Sequence, residues 1–349
     1  MDNNVKVKRE SKNKIRVDFE RAPLSERLKS KFVNSFFIKK VLFLIFKLVL
    51  LIGVSYVILY PYITKIFASF MSESDFKDVT VVLISKNPTL NQYTSIMLEN
   101  DYFLALLNTF LISVSVALIQ TLVCALVAYG LSKFKFKGSN LLFFIVIFTM
   151  MVPQDSIQFA LQRYFQRFNE YNPIGYVLDA IGVIKGGFVN SLAPLYIMSV
   201  TGLGFKNGLF IFMLRQFFKG VPDELEESAY VDGSSTFRTF FNIILPISVP
   251  MLITVFIFSF AWQWTDEFYA SQSSIFYLSS YWSGENPIKL ISNVAVVPKS
   301  LGVAVKNLPL YESAIRGTGS ILIVLPLIIV YLFVQNKIVE GVERSGIVG

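Results

Sequence analysis

Asp223, Glu224, Glu226 and Glu227 put four carboxylates into five residues, inside the stretch Val221–Pro250, "VPDELEESAYVDGSSTFRTFFNIILPISVP". Acids alone can bind a basic groove or hold a metal; to catalyse they need partners. The chain contains no histidine, which removes Ser–His–Asp triads, imidazole relays and metal–His sites. Its single cysteine, Cys124, cannot form an internal disulfide or a zinc site and reads as a small buried hydrophobe. No G-x-x-x-x-G-K-[ST] is present, so the chain has no P-loop of its own to cradle nucleotide phosphates. Neither a catalytic residue nor a metal ligand is expected. A second set, Trp262, Trp264, Asp266 and Tyr269, combines rings with a carboxylate, as suits a sugar whose C–H faces stack and whose hydroxyls hydrogen-bond. The plainer alternative is anchoring at a membrane interface. Lys206 lies in an apolar stretch, where it meets an anionic group, lines a wet path, or marks a break in a span.

The acids need a helix to hold them. Pro222 suits a helix start, where its missing N–H is no loss. The carboxylates then face the positive end of the helix dipole. "ELEESAYV" continues the helix, and Asp232–Gly233 stops it, glycine tolerating left-handed geometry. Ser234 or Ser235 can cap a second helix through "TFRTFFNII". Leu245–Pro246 marks the start of the next apolar run. The expectation is a polar helix–turn–helix joined to a membrane span, with the small pair Ser228–Ala229 open to a partner surface. An acidic solvated loop with ordinary capping is the plain alternative.

That loop hangs between apolar runs in a chain that is 54% hydrophobic and only 16% charged, with 34 Phe and 16 Tyr. Soluble domains carry about 25% charged residues, so a polytopic membrane protein is expected. Six segments reach the roughly 20 apolar residues a span needs. They lie at about 41–63, 103–128, 140–159 (broken by Pro153), 192–218 (interrupted around Gly202–Gly208), 244–266 and 318–336. Twelve of the 32 Lys and Arg fall in residues 1–40, the ordinary signature of a cytoplasmic terminus near anionic lipid rather than of nucleic-acid binding. With that terminus inside, the inner segments hold 20 Lys and Arg against 10 in the longer outer segments 64–102, 160–191 and 267–317. Both termini and the acidic loop are therefore expected on the cytoplasmic side. Residues 1–20 read as disordered. Leu24, Leu28, Phe32 and Phe36 suit a helix on the inner membrane surface, or a simple polar lead-in to the first span. The expected organisation is a basic tail over 1–40, a first span and outer segment over 41–102, and a core of five spans over 103–349.

One stretch carries a specific resemblance. Glu227, Ser228, Ala229, three residues, Gly233, nine residues, Ile243, one residue, Leu245 and Pro246 resemble the EAA motif of permease subunits of binding-protein-dependent ABC importers, with Ser228 in place of one alanine. The wording around it is similar to carbohydrate importers, especially the maltose system's second permease. "AYGLSKFKFKG", "FTMMVP", "FAWQWTDEFYA" (with Thr265 where Asn is usual) and "QNKIVEGVERSGIVG" look like further segments of the family. Residues 161–190 and 267–317 are longer than its usual loops, as is the tail before the first span.

The resemblance implies a type I ABC importer permease fold: all-α, six transmembrane helices, cytoplasmic N- and C-termini and a cytoplasmic coupling helix–turn–helix. It implies a bacterial plasma-membrane subunit forming half of a pore for a sugar or oligosaccharide. Its partners would be a second permease, two ATPase subunits, an extracellular solute-binding protein and membrane lipid. ATP and magnesium would sit on the ATPases, with no cofactor on this chain. Glu227, with Glu226 beside it, would anchor the loop in an ATPase groove, Ala229 would let it seat, and Asp232–Gly233 would turn it. Ile243, Leu245 and Pro246 would set how it joins the membrane. Glycerol phosphate or another polar solute is an alternative cargo, and an ion-coupled secondary transporter an alternative class. That class would bring inverted repeats and intramembrane acidic coupling residues, neither of which is evident.

Overall fold

Small residues on one helix decide how the others approach it. In the computed structural model, which describes residues 7–9, 15–17, 35–181, 192–204, 206–266, 289–306 and 308–346, that helix is α2, Tyr102–Lys133. Ala105, Thr109, Ser113, Ala117 and Thr121 recur every four residues along its buried side, and Cys124, Ala125 and Ala128 continue it. Such a stripe lets neighbouring backbones come close, the usual basis of helix packing in lipid. Phe103, Leu107, Leu111, Leu118 and Leu122 stay exposed on other sides, as lipid contact requires.

Among the described residues, three helices are long and apolar enough to cross a bilayer unaided. They belong to α1 (Ser35–Ala68), α2 and α10 (Pro309–Gly346). The other expected spans are interrupted. The third divides at Pro153 into α3, Ser139–Met151, and α4, Gln154–Gln166. The fourth divides into α5, Ala193–Val200, and α6, Asn207–Lys219, across a break containing Gly202 at φ +75°. The fifth is α9, Val249–Trp264, which meets the preceding helical stretch Thr236–Ile247 at 80°. Pro246 and Pro250 flank that corner and supply no N–H to the ladder. Ser248 turns it, its N–H and hydroxyl both donating to the Ile244 carbonyl.

The unit Lys65–Gly349 holds the core. Towards the end of α2 near Tyr129, α6 and α9 close around Phe210, Leu214, Phe218, Ile244 and Met251, with Cys124 fully buried among them. Towards its other end, Phe260, Trp264, Ile291, Tyr311 and Ile315 pack together. Side chains tie these elements to free backbone groups: Tyr102 donates to the Leu322 carbonyl at 3.1 Å, and Asn100 to those of Val294 and Val296 at 2.9 and 2.8 Å.

The unit Met1–Thr64 contains most of α1 and, before it, a hairpin rather than uniform disorder. Strands Val7–Arg9 (β1) and Ile15–Val17 (β2) pair antiparallel, ahead of described residues that are otherwise helical as expected. β-Branched Val7, Ile15 and Val17 favour the extended backbone. The register sets Lys8 opposite Arg16. Leu24, Leu28 and Phe32 of the expected surface stripe lie outside the described residues.

Candidate functional site

The acidic loop folds into α7, Glu224–Val231, and α8, Thr236–Thr239. Its turn is built from local chemistry. The Gly233 N–H donates to the Tyr230 carbonyl at 3.0 Å and the Ser234 N–H to that of Ala229 at 2.9 Å, with Gly233 at φ +77°. These paired bonds satisfy carbonyls that a helix end leaves open, and they need a residue at ease with positive φ. Asp232 is the last helical cap, its N–H reaching the Ser228 carbonyl at 3.1 Å. Of the two candidate serines, Ser235 caps α8, its hydroxyl accepting from the Arg238 N–H at 3.4 Å. A five-residue π turn, Phe240–Ile244, then carries Ile243 against the core and leads into Leu245, Pro246 and the corner.

The carboxylates divide into two groups. Glu227 and Glu224 are exposed. Glu226 is turned inward and only 7% exposed. The Tyr129 hydroxyl donates to its Oε2 at 3.2 Å, and Lys133 Nζ lies 3.5 Å from its Oε1. Lys133 is buried too, and donates to Asp223 Oδ1 at 2.6 Å and to the Val221 carbonyl at 2.7 Å. That ammonium, by its hydrogen bond first and its charge second, holds the Asp223 carboxyl below the ordinary value of 3.8. Tyr129 itself packs on Phe240, ring centres 4.9 Å apart, just beyond α8. Beside it, Arg215 of α6 donates from Nε to the Leu131 carbonyl at 3.1 Å and lies over the Phe143 ring. One turn of α2 thus grips the start of α7 and the start of the helical stretch after α8.

Two expectations change here. Glu226 does not stand beside Glu227 toward a partner; it is the inner half of a joint with α2. Ala229 is likewise buried against the chain's own core, while Ser228 is exposed. The small pair was expected to seat together, but adjacent helical residues face about 100° apart. What the loop offers outward is Glu227, Ser228 and Asp232 beside Val231 (88% exposed) and Phe237 (73% exposed). In the sequence Lys133 counts only among the inner positive charges. Its spacing of four from Tyr129 on one helix face, with unpaired acids elsewhere in the chain, was the available signal.

The expected aromatic set also separates. Trp264 is 3% exposed and donates its indole N–H to the Ile323 carbonyl at 2.9 Å, so it belongs to the core. Trp262 is half exposed, and Lys206 Nζ sits 3.9 Å from its ring centre. Asp266 lines a small polar pocket with Lys206, Trp262, Gln120 and Ser259. Ser259 donates to Gln120 Oε1 at 2.5 Å. Tyr269 lies outside the described residues. The Lys206–Trp262 pair also lines a much larger cavity of about 1140 Å³ between α3, α4 and the α5–α6 break.

Residues 121–344 match the family described as binding-protein-dependent transport system inner membrane component. The chain belongs to that family. The matched region includes the whole loop and its partners Tyr129, Lys133 and Arg215. The polygalacturonan/rhamnogalacturonan transport system permease protein YtcP of Bacillus subtilis (strain 168) is 25% identical over 294 residues, covering 83% of this chain and 92% of that protein. The maltodextrin transport system permease protein MalD of Streptococcus pneumoniae (strain R6) is 28% identical over 300 residues, covering 85% and 92%. A chain from the crystal structure of a bacterial ABC transporter involved in the import of the acidic polysaccharide alginate shares the fold. Its TM-score is 0.61 at 19% identity, covering 85% of this chain and 97% of that one.

Proposed function

We propose that this permease forms half of the membrane pathway of an ATP-driven importer for a sugar or oligosaccharide, delivered by an extracellular binding protein. It works with a second permease and two ATPase subunits, which hold ATP and magnesium. The chain crosses a bacterial plasma membrane six times with both termini in the cytoplasm. The interrupted segments α3–α4, α5–α6 and α9 serve as the third, fourth and fifth spans, lined by neighbouring helices where their backbone is irregular. The charge asymmetry of the loops supports that orientation, and the sugar permeases among the relatives support the cargo class.

One observation carries the reading. The α7–α8 loop presents apolar Val231 and Phe237 ringed by Glu227, Asp232 and Arg238, while its other side is clamped to α2. Exposed apolar side chains with a charged rim suit a protein groove. The clamp means that displacing the loop displaces α2. ATP-driven closure of the ATPases would then bias the permease between inward- and outward-facing states through a rigid contact. The test is uptake into proteoliposomes holding the full complex. Sugar accumulation is expected only with ATP inside and binding protein outside. Uptake driven by an ion gradient without the ATPases would overturn the proposal.

A further inference from the structure

The cavity beside α5 and α6 has a chemistry of its own. Among its described lining residues Lys206 is the one charged side chain, and no described carboxylate faces it. An ammonium at membrane depth without a facing acid belongs to a wet or ligand-filled space. The break also points the first turn of α6 into that space. Lys206 is the N-cap, and Gly208 and Leu209, whose N–H groups lie at the open end of the helix, line the cavity. The positive end of the helix dipole therefore adds to the lysine charge.

A second observation is independent of charge. Asn207 is fully buried, and neither its Oδ1 nor its Nδ2 has a hydrogen-bond partner. Buried carboxamides are ordinarily satisfied, so the amide is waiting for a polar atom. It lies against the bare face of Gly204, which lines both cavities: a Cβ there would stand 3.0 Å from Asn207 Nδ2 and 3.0 Å from Gln120 Nε2. Gly204 thus lets two amides pack close behind the cavity wall: Gln120 donates to Ser199 Oγ at 3.4 Å and accepts from Ser259, while Asn207 stays unpartnered beneath the lining. Trp262 and Tyr164 add ring faces to the larger cavity, and Thr149, Thr201 and Asn172 add hydroxyl and amide groups.

We propose that the α5–α6 break is a subsite for a carboxylate-bearing sugar, a uronate, with Lys206 facing the carboxylate, the open first turn of α6 at Gly208 and Leu209 adding its positive end, and Trp262 stacking on the ring. This deepens the importer reading and rests on it. A cavity of about 1140 Å³ has room for more than one sugar ring. Asp266, behind the Lys206–Trp262 pair in the smaller pocket, accepts from hydroxyls rather than meeting the acid.

The test uses the full transporter in nanodiscs without binding protein, with radiolabelled trigalacturonate and its methyl ester, the same trimer with its charge removed. Wild type is expected to bind the acid between about tenfold and about a hundredfold more tightly than the ester. Lys206→Gln should abolish that preference and Lys206→Arg retain it. Equal binding of acid and ester, or unchanged preference in Lys206→Gln, overturns the subsite. Displacement of the acid by phosphatidylglycerol at lipid-like concentrations assigns the cavity to lipid and also overturns it. So does a loss of second-permease recovery in Lys206→Gln, because the lysine then belongs to a subunit interface. ATP-dependent uptake of acid and ester at equal rates, unaffected by Lys206→Gln, leaves the importer reading standing and removes the subsite alone. Absence of ATP-dependent uptake of any sugar removes the importer reading.

Discussion

Replacing Lys133 with methionine keeps the length and apolar stem of the side chain and removes its charge. The structure then leaves the Glu226 carboxylate 7% exposed, with the Tyr129 hydroxyl as its remaining partner, and strips the donor from the Val221 carbonyl. Orphaning one member of a buried ion pair costs about 3 to 5 kcal/mol. The retained tyrosine bond argues for the lower end, about 3 kcal/mol. Asp223 contributes little to this loss, since its side chain is 79% exposed. Spread over local undocking of α7, about 3 kcal/mol shifts the docked-to-free ratio by roughly a hundredfold. Glu226→Gln is milder, about 1 kcal/mol, because Lys133 keeps Asp223 and the carbonyl. The double variant should then cost about 2 kcal/mol, less than Lys133→Met alone, which corresponds to a coupling energy of about 2 kcal/mol. The assay is sugar imported per ATP hydrolysed in proteoliposomes, beside hydrogen exchange of Glu224–Val231. Lys133→Met should raise futile hydrolysis and speed exchange there while α2 and α10 remain protected. Lys133→Arg should restore both. Wild-type transport stoichiometry in Lys133→Met, or additive single effects, refutes the joint.

Gly233→Val places a β-branched side chain at φ +77°, costing about 1–2 kcal/mol in the turn. Uptake should be lost at normal membrane abundance, and wild-type uptake would count against the turn's role. Glu227→Lys reverses an exposed charge and should weaken ATPase co-purification without altering the melting temperature. Unchanged recovery would remove Glu227 as an anchor. Trp264→Phe deletes a donor to the Ile323 carbonyl and should lower stability by about 1 kcal/mol while leaving transport per folded complex unchanged; a melting curve beside the uptake rate checks it. Because Lys133 depresses the Asp223 pKa below 3.8, this carboxylate stabilises the docked loop above its ordinary pKa and loses that as pH falls through the lower docked value. Asp223 protonation should therefore release the loop only below about pH 3.8, and Asp223→Asn should leave exchange of α7 flat from about pH 5 to about pH 8. A step in that interval which Asp223→Asn removes would contradict the sign.

The loop's ends were legible because their causes are local. A left-handed glycine, a capping serine and two prolines act within a few residues of themselves, and the structure uses Gly233, Ser235, Pro246 and Pro250 at the turn, cap and corner. The face of α7 was not legible. Which of eight residues turn inward depends on Tyr129 and Lys133, about ninety positions away, and a lysine counted toward membrane orientation gives no sign that it is buried. The divided spans fall between these cases. Pro153 and the glycines near 202 announced breaks, but a break seen only as a defect hides that it aims a helix end and Lys206 at a cavity.

Trp262 and Trp264 make the same point with less excuse. Two residues apart on a helix, they project about 200° from each other, so no single surface of α9 can hold both rings. Periodicity alone therefore required one to face inward. Choosing between them needs α10, where the Ile323 carbonyl takes the Trp264 indole, and Lys206, whose ammonium takes the Trp262 face. The acidic loop proposed to meet the ATPase is short-range in sequence at its turns, whereas the cavity proposed to meet cargo is assembled across helices. A motif reads the first and is blind to the second. On the proposed subsite, the charge of the cargo would be read at Lys206, at a break between helices, rather than by any run of neighbouring residues.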